Sequence, residues 1–450
     1  MWDYFLDLLL KQVLSQPFIL IALVVLIGYL ALGEKVSNAI IGALKASLGI
    51  LVMGMGSSAL TANFGKILTA INAETGITGA GLNTYPTMTA AQEIMDSVLA
   101  SGVGASWGLY TFLAAFIINV VLVALRKYTK IKAVYLTGNA ALVQTGISAF
   151  LVWKFFNLPI IPTVLVAALI TALYWGVFST MLIKPTYEIT GADFTVAHQQ
   201  MFTSWCAYKI APRLGNPEKD DIEKKQMPSS LKLLQDNIIS TFLVMFLSLA
   251  VIFVILGGGG IDWLRGADGL AQVGLKNNVI FLFWTAVMLT ANIYVLLAGV
   301  RMFVGEIMMS FQGISQKILP GAVAGVDCAA LFAFAPKSVV LGFLCGAIGQ
   351  VIGVLLLVAF NSPVLLIPGF IPMFFDNATV AIFANKYGGY KAAIIICVVH
   401  GIIQILGSAL AVMMTGLSWW QGSGDYASVW VAIIAAFKGL GSVLGIPMAA

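Results

Sequence analysis

The chain is built from long apolar runs separated by short polar breaks. Eight windows carry no charged residue: 12–33, 97–125, 133–153, 155–183, 237–261, 277–300, 338–375 and 392–424. A helix needs about 20 apolar residues to cross the hydrocarbon core. One charge at mid-membrane costs about 2.5–3.5 kcal/mol on insertion scales, so each window is a candidate transmembrane helix. Window 338–375 is too long for one crossing and is broken at Asn361-Ser362-Pro363. Residues 36–65 add a span interrupted by Lys45, and residues 426–450 add a last one containing Lys438. The pattern predicts an all-α polytopic membrane protein with about 11 transmembrane helices. They start near residues 12, 37, 104, 133, 158, 237, 280, 338, 364, 392 and 427. A β-barrel is excluded, because barrel strands read as short alternating segments.

Two segments do not behave as spans. Residues 75–95 read TGITGAGLNTYPTMTAAQEIM, and residues 306–337 hold Gly313, Pro320, Gly321, Asp327 and Pro336. Both are too polar and too rich in Gly and Pro to face lipid. Irregular backbone at membrane depth survives only where it is buried in protein or lines a cavity. Two re-entrant hairpins entering from opposite faces are therefore expected. The first repeat covers about 12–183 with its hairpin at 75–95, and the second covers about 237–416 with its hairpin at 306–337. An odd number of spans in each half inverts the second against the first. The runs 51–67 and 296–314 resemble each other in character, and AVYLTGN (133–139) and LLIPGFIPMF (365–374) both break an apolar run with Gly. Inverted repeats with paired broken segments hold the solute near the midplane.

Charge sets the orientation. Arg126, Lys127, Lys130 and Lys132 crowd one connection; Lys209, Arg213, Lys219, Lys224, Lys225 and Lys232 lie in another; Lys386 and Lys391 flank a third. If eleven spans alternate, all three fall on one side, which the positive-inside rule makes cytoplasmic. Loops 157–159, 257–269 and 419–426 then lie outside, as does the N-terminus, with the C-terminus inside. The connection 184–236 is expected to be cytoplasmic and amphipathic, and the last span to cover about 427–450.

Composition agrees. Of 450 residues 60% are hydrophobic and 10% charged, against about 25% charged in soluble domains; the mean hydropathy is +0.98. A soluble enzyme, a disordered chain and a nucleic-acid binder are excluded. The net charge of +5, from 24 Lys and Arg against 19 Asp and Glu, matches basic cytoplasmic loops. Cys206, Cys328, Cys345 and Cys397 show no paired spacing, which argues against a disulfide framework or a zinc site. The start, MWDYFLDLLLKQ, has acids where a signal peptide needs basic residues. No P-loop and no metal-ligand cluster stands out, and no cofactor is expected. Energy for transport then comes from a partner protein or an ion gradient.

Polar residues inside apolar context are the candidate chemistry. Asp327 lies in AVAGVDCAALFAF, and an intramembrane carboxylate is a functional candidate by default. It either pairs with Lys317 or Arg301 to hold its hairpin, or accepts a solute hydroxyl and removes its proton as a general base. Asn83-Thr84-Tyr85-Pro86-Thr87 reads as an unwound tip before a short helix, whose N-terminus would favour an anion; the alternative is a plain buried turn. His198 and Gln199 precede a helix with Met201, Phe202, Trp205, Tyr208 and Ile210 at helical spacing. They either satisfy that helix or reach a sugar-like ring. Asn139 and Gln144 serve as interhelical glue or as pocket lining. Asp376, Asn377, Glu306 and His400 read as structural.

Three stretches carry a family resemblance: TVAHQQMFTSWCAYKIAPRLG (195–215), RMFVGEIMMSFQGISQKILPGAVAGVDCAALFAFAPKSVVLGFLCGAIGQ (301–350) and IPGFIPMFFDNATVAIFANKYGGYKAA (367–393). The sequence resembles the ascorbate-specific enzyme IIC of the phosphoenolpyruvate-dependent phosphotransferase system, over nearly the whole chain. The resemblance implies a bacterial inner-membrane homodimer of eleven-span protomers, each with an elevator-type core and a V-shaped dimerisation domain. It implies import of L-ascorbate coupled to phosphorylation. The donor is the phosphocysteine of a separate enzyme IIB, charged through enzyme IIA, so the chain itself is a transport subunit and not an enzyme. It carries ligand positions onto Thr84, Tyr85, Pro86, His198, Gln199 and Asp327. Where the family pattern has Thr-Gly-His and then Gln-Gln, this chain has Thr137-Gly138-Asn139 and Val143-Gln144, so the alternative substrate is galactitol, or a sugar acid other than ascorbate. A secondary transporter of the same architecture, driven by protons or sodium, is the alternative mechanism.

Overall fold

The computed structural model describes residues 17–76, 78–225, 237–319, 321–332, 334–369 and 371–449. The start of the first expected crossing, Pro320, and Lys232 with its neighbours lie outside the described residues, as do the side chains of Asn139, Arg301 and Lys317.

The elements run α1 (Pro17–Ala31), α2 (Val36–Thr75), β1 (Thr78–Leu82), α3 (Thr84–Val98), α4 (Val103–Ala124), β2 (Ala133–Tyr135), α5 (Gly138–Phe156), α6 (Ile160–Met181), α7 (Ile183–Thr190), β3 (Phe194–Val196) and α8 (Met201–Ile210). The second half runs α9 (Asn237–Arg265), α10 (Asn278–Ile318), β4 (Val323–Val326), a 3-10 turn (Cys328–Leu331), α11 (Pro336–Ala359), β5 (Val364–Ile367), α12 (Asn377–Thr415), β6 (Trp419–Trp420) and α13 (Val429–Val443). Among the described residues, seven helices are long and apolar enough to cross a membrane; Ala140–Phe156 and Val429–Val443 are apolar but shorter. Their outward faces are apolar. On α2 the exposed residues Ile40, Leu44, Leu48, Leu51 and Met55 form one stripe, and on α11 Ile348, Val351, Leu355 and Val358 form another. Stripes of this length on solvent-exposed helices suit a lipid environment.

The helical reading of the sequence holds, with local corrections. The crossing expected from 133 opens with strand β2, and its helix begins at Gly138. The one expected from 364 opens with β5 and a π-helical turn, Pro372–Asp376. The one expected from 392 continues the same helix, α12, across a break at Gly389, which has φ +76°. In the second irregular segment, α10 runs unbroken through Glu306 and Gly313 to Ile318, so only the stretch after it departs from helix. Loop 419–426 is not solvent-exposed: residues 419–427 are all buried.

The strands were invisible to periodicity because each has five residues or fewer. They form two three-stranded parallel sheets, ordered β5-β1-β6 and β2-β4-β3. Exchanging β1, β2, β3 for β4, β5, β6 converts one sheet into the other. Each central strand therefore comes from one half of the chain and both its neighbours from the other half. Register matches as well. Gly81 faces Ile367 and Trp419, and Gly325 faces Tyr135 and Thr195. This aligns AGLN (80–83) with AGVD (324–327). Both glycines are required by the close approach of their neighbours. A Cβ on Gly81 would lie 2.4 Å from the Trp419 ring, and one on Gly325 would lie 2.8 Å from the Ala197 Cβ and 2.9 Å from the Val134 oxygen.

The long helices that lead into the central strands, α2 and α10, pack against each other and against α1. Glu306 on α10 accepts the Tyr29 hydroxyl at 2.5 Å and lies 3.5 Å from Lys45 on α2. That contact pairs the two charges and fits the structural role expected of Glu306.

Candidate functional site

The strand ends of both sheets converge on one recess. Five of the residues singled out from the sequence line it: Thr84, Tyr85, His198, Gln199 and Asp327. Ala140, Ile371 and Phe375 complete the wall. Contributions come from the ends of β1, β3 and β4, from the start of α5 and from the π-helical turn before α12, so both halves build the cavity.

Thr84 and Tyr85 open α3 immediately after β1. Asn83 caps that helix: its side chain accepts the Tyr85 N–H at 3.4 Å, and its carbonyl accepts the Thr87 hydroxyl at 2.7 Å. Pro86 fits the first helical turn but does not line the cavity. Asp327 repeats the arrangement after β4, accepting the Ala329 N–H at 2.9 Å through Oδ1. Its other oxygen makes the acid available to the cavity.

His198, Gln199 and Gln200 follow β3. Backbone pairing continues past the strand, with the Ala197 N–H donating to Val326 O at 2.8 Å. The Gln200 amide donates to the Thr379 hydroxyl at 3.0 Å, so its Oε1 is the acceptor that meets His198 Nδ1 at 2.6 Å. This network assigns the imidazole proton to Nδ1 and leaves Nε2 as the second ring nitrogen for a ligand. Gln199 donates to the Ala140 carbonyl at 2.8 Å. Its Oε1 is buried with no hydrogen-bond partner. An unsatisfied buried acceptor costs about 1–3 kcal/mol, and a hydroxyl donor bound in the cavity would remove that cost.

The remaining sequence-derived candidates are Gln144 and Asn139. Gln144 accepts the Trp175 indole N–H at 3.0 Å and lies outside the cavity wall; it serves as interhelical glue. Asn139 sits at the start of α5, beside the lining residue Ala140, and its side chain is outside the described residues.

Sequence reasoning missed Asp425. This fully buried acid follows β6 and sits at the N-terminus of α8. It accepts the Phe202 N–H at 2.9 Å, the Thr203 N–H at 3.0 Å, the Thr203 hydroxyl at 3.2 Å and the Tyr174 hydroxyl. Its own N–H donates to Gln199 O at 3.2 Å. Asp425 thus clamps the loop that carries His198 and Gln199. Its place after β6 matches that of the histidine loop after β3, a relationship that appears only in the structure. Asp376, Asn377 and His400 form an inner network, as expected of structural residues. Asp376 accepts the Gly424 N–H at 2.7 Å, Asn377 meets His400 Nδ1 at 2.8 Å, and Gln404 accepts from both Asn377 and Gln350 at 2.9 Å.

The arrangement combines an imidazole, an amide with a free acceptor, a helix N-terminus and one carboxylate in a largely apolar recess. Such a site suits a small polar solute presenting several hydroxyls.

The chain matches the family model EIIC-GAT, described as PTS system sugar-specific permease component, over residues 12–431. It is 29% identical over 432 residues to a Mycoplasma pneumoniae protein named "Ascorbate-specific PTS system EIIC component", covering 88% of this chain and 65% of that protein. The chain therefore spans about two thirds of the length of this curated relative. With the family match extending over nearly its whole length, the chain belongs to the PTS sugar-specific permease components.

Proposed function

We propose that the protein is the membrane permease subunit of a phosphotransferase system and carries L-ascorbate, which is phosphorylated as it enters. The observation that carries this reading is the cavity itself. Thr84, His198, Gln199 and Asp327 meet there from both halves of the chain, and the related Mycoplasma protein is named for ascorbate. Ascorbate is a small planar monoanion with several hydroxyls. Its enediolate faces the N-terminus of α3 at Thr84, where the helix dipole favours negative charge. Its accepting hydroxyl lies toward Asp327. That oxygen attacks the phosphorus of the enzyme IIB phosphocysteine, the P–S bond breaks to release thiolate, and the carboxylate of Asp327 takes the hydroxyl proton. Enzyme IIA recharges enzyme IIB.

The protein is a homodimer in the bacterial inner membrane, N-terminus outside and C-terminus inside, with inverted repeats whose core moves as an elevator. Thr78–Val98 and the stretch from Leu319 to Lys337 are the two re-entrant segments. Enzyme IIB docks near the basic connection at 209–232, of which the structure describes residues 209–225. This segment is held against the core: Asn385 accepts the Ile222 N–H at 3.0 Å, and Glu223 accepts the Ser338 N–H at 2.7 Å.

Purified protein titrated with ascorbate, galactitol and related sugar acids tests the substrate. Saturable binding of ascorbate with weaker binding of the others is expected, and preference for galactitol or another acid reassigns it. Uptake into vesicles tests the coupling. Dependence on phosphoenolpyruvate and the soluble partners is expected, whereas uptake driven by an ion gradient alone replaces the reading with an ion-coupled transporter.

A further inference from the structure

We propose that His198, Asp327 and Cys328 form a binding site for a divalent metal ion of the zinc class. Their ligand atoms all lie within 4.8 Å of one another, although His198 is far in sequence from the adjacent Asp327 and Cys328. The sheet explains the meeting. β3 and β4 are parallel neighbours with Val196 opposite Val326, so the two residues beyond each strand emerge side by side. This is why no ligand spacing is visible in the sequence.

The donor set suits zinc. A thiolate, an imidazole and a carboxylate are its three common protein ligands, and three of them leave a fourth position open. Tetrahedral bonds of about 2.0–2.3 Å separate ligand atoms by roughly 3.5 Å, so side-chain shifts of about an ångström close the site. Charge suits it too. One dication with one carboxylate and one thiolate is neutral, which matters where an unpaired charge is costly to bury. The thiol proton of Cys328 leaves to solvent when the sulfur binds.

A second shell is already in place. Metal-ligating histidines characteristically donate their other ring N–H to a fixed acceptor, and the His198 Nδ1–H is held by Gln200 Oε1 at 2.6 Å. Gln200 is fixed in turn by Thr379. Asp327 is held in place by the Ala329 N–H through Oδ1, which leaves Oδ2 for the ion. The metal site goes beyond the transport reading and does not depend on which solute is carried. His198 and Asp327 also line the solute cavity, so the ion and the solute would exclude each other.

The test uses the purified full chain and Co²⁺, whose thiolate complexes absorb in the near ultraviolet. One-to-one saturable binding with this charge-transfer band is expected, and Zn²⁺ should abolish the band by displacement. Cys328→Ser should remove it. Gln200→Leu should weaken binding about 10–100-fold, the usual cost of losing an outer-shell partner. A chain with Cys206, Cys345 and Cys397 all changed to serine keeps Cys328 as its sole thiol and should retain the band. This arm decides the matter even where Cys328→Ser fails to fold. No band in that triple variant, or an undiminished band in folded Cys328→Ser, overturns the site.

Discussion

Asn83 and Asp327 occupy the same position in the two halves of the chain. Each ends the central strand of a three-stranded sheet, and each caps the next helical turn by accepting the N–H two residues on, from Tyr85 and Ala329 respectively. One is a neutral amide and the other a carboxylate. The scaffold is thus repeated while the charge is not, and this asymmetry gives the cavity a single acidic side.

Replacing Asp327 by Asn separates charge from scaffold. Asparagine caps as well as aspartate, so membrane insertion and thermal stability should stay near wild type. Phosphorylation-coupled uptake should fall about 10²–10⁴-fold, the contribution of a positioned general base. Uptake normalised to inserted protein measures it, and unchanged uptake removes Asp327 from the proposed chemistry.

Gln199→Leu deletes a buried acceptor that has no protein partner, together with the bond to Ala140 O. Loss of one solute hydrogen bond is worth about 0.5–1.5 kcal/mol, so solute affinity should drop several-fold to about tenfold. Calorimetric titration reads the change directly. Equal affinity would show that the Gln199 oxygen does not face the solute.

Asp425→Ala should act at a distance from the solute. It strands the Phe202 and Thr203 N–H groups and the Tyr174 hydroxyl, at about 1–3 kcal/mol for each buried group left unsatisfied. A clear fall in thermal midpoint in detergent is expected, with weaker solute binding as the His198 loop loosens. Tyr174→Phe removes one of these bonds and should show a smaller fall. A wild-type midpoint for Asp425→Ala would contradict the clamp.

Gly325→Val tests the sheet. Its Cβ would stand 2.8 Å from Ala197 Cβ and 2.9 Å from the Val134 oxygen, and forcing strands apart typically costs about 1–3 kcal/mol. The variant should lose thermal stability and solute binding together. Gly439→Val, where a Cβ meets nothing within 4 Å, is the control and should change neither.

The helices were legible because an uncharged apolar run longer than a bilayer crossing is rare in water-soluble folds. Most of the site was legible for the complementary reason: Thr84, His198, Gln199 and Asp327 are polar where their surroundings are not. Asp425 escaped because it sits among Gly, Ser and Gln residues that read as an outer turn, and only burial of 419–427 reveals its place. Gln144 misled because a polar residue between apolar helices looks the same from sequence whether it meets a solute or an indole. Cys328 had no signal, since its proximity to His198 arises from strand order. The strands themselves are too short for alternation to register, and Gly389 interrupts α12 without any change in hydrophobicity.

The exchange of central strands also limits how this molecule can open. Pulling the two halves apart would tear backbone pairing in both sheets at once, because β1 is held by β5 and β6 while β4 is held by β2 and β3. A clamshell motion is therefore mechanically disfavoured. The interlocked strands are therefore held together as a single block.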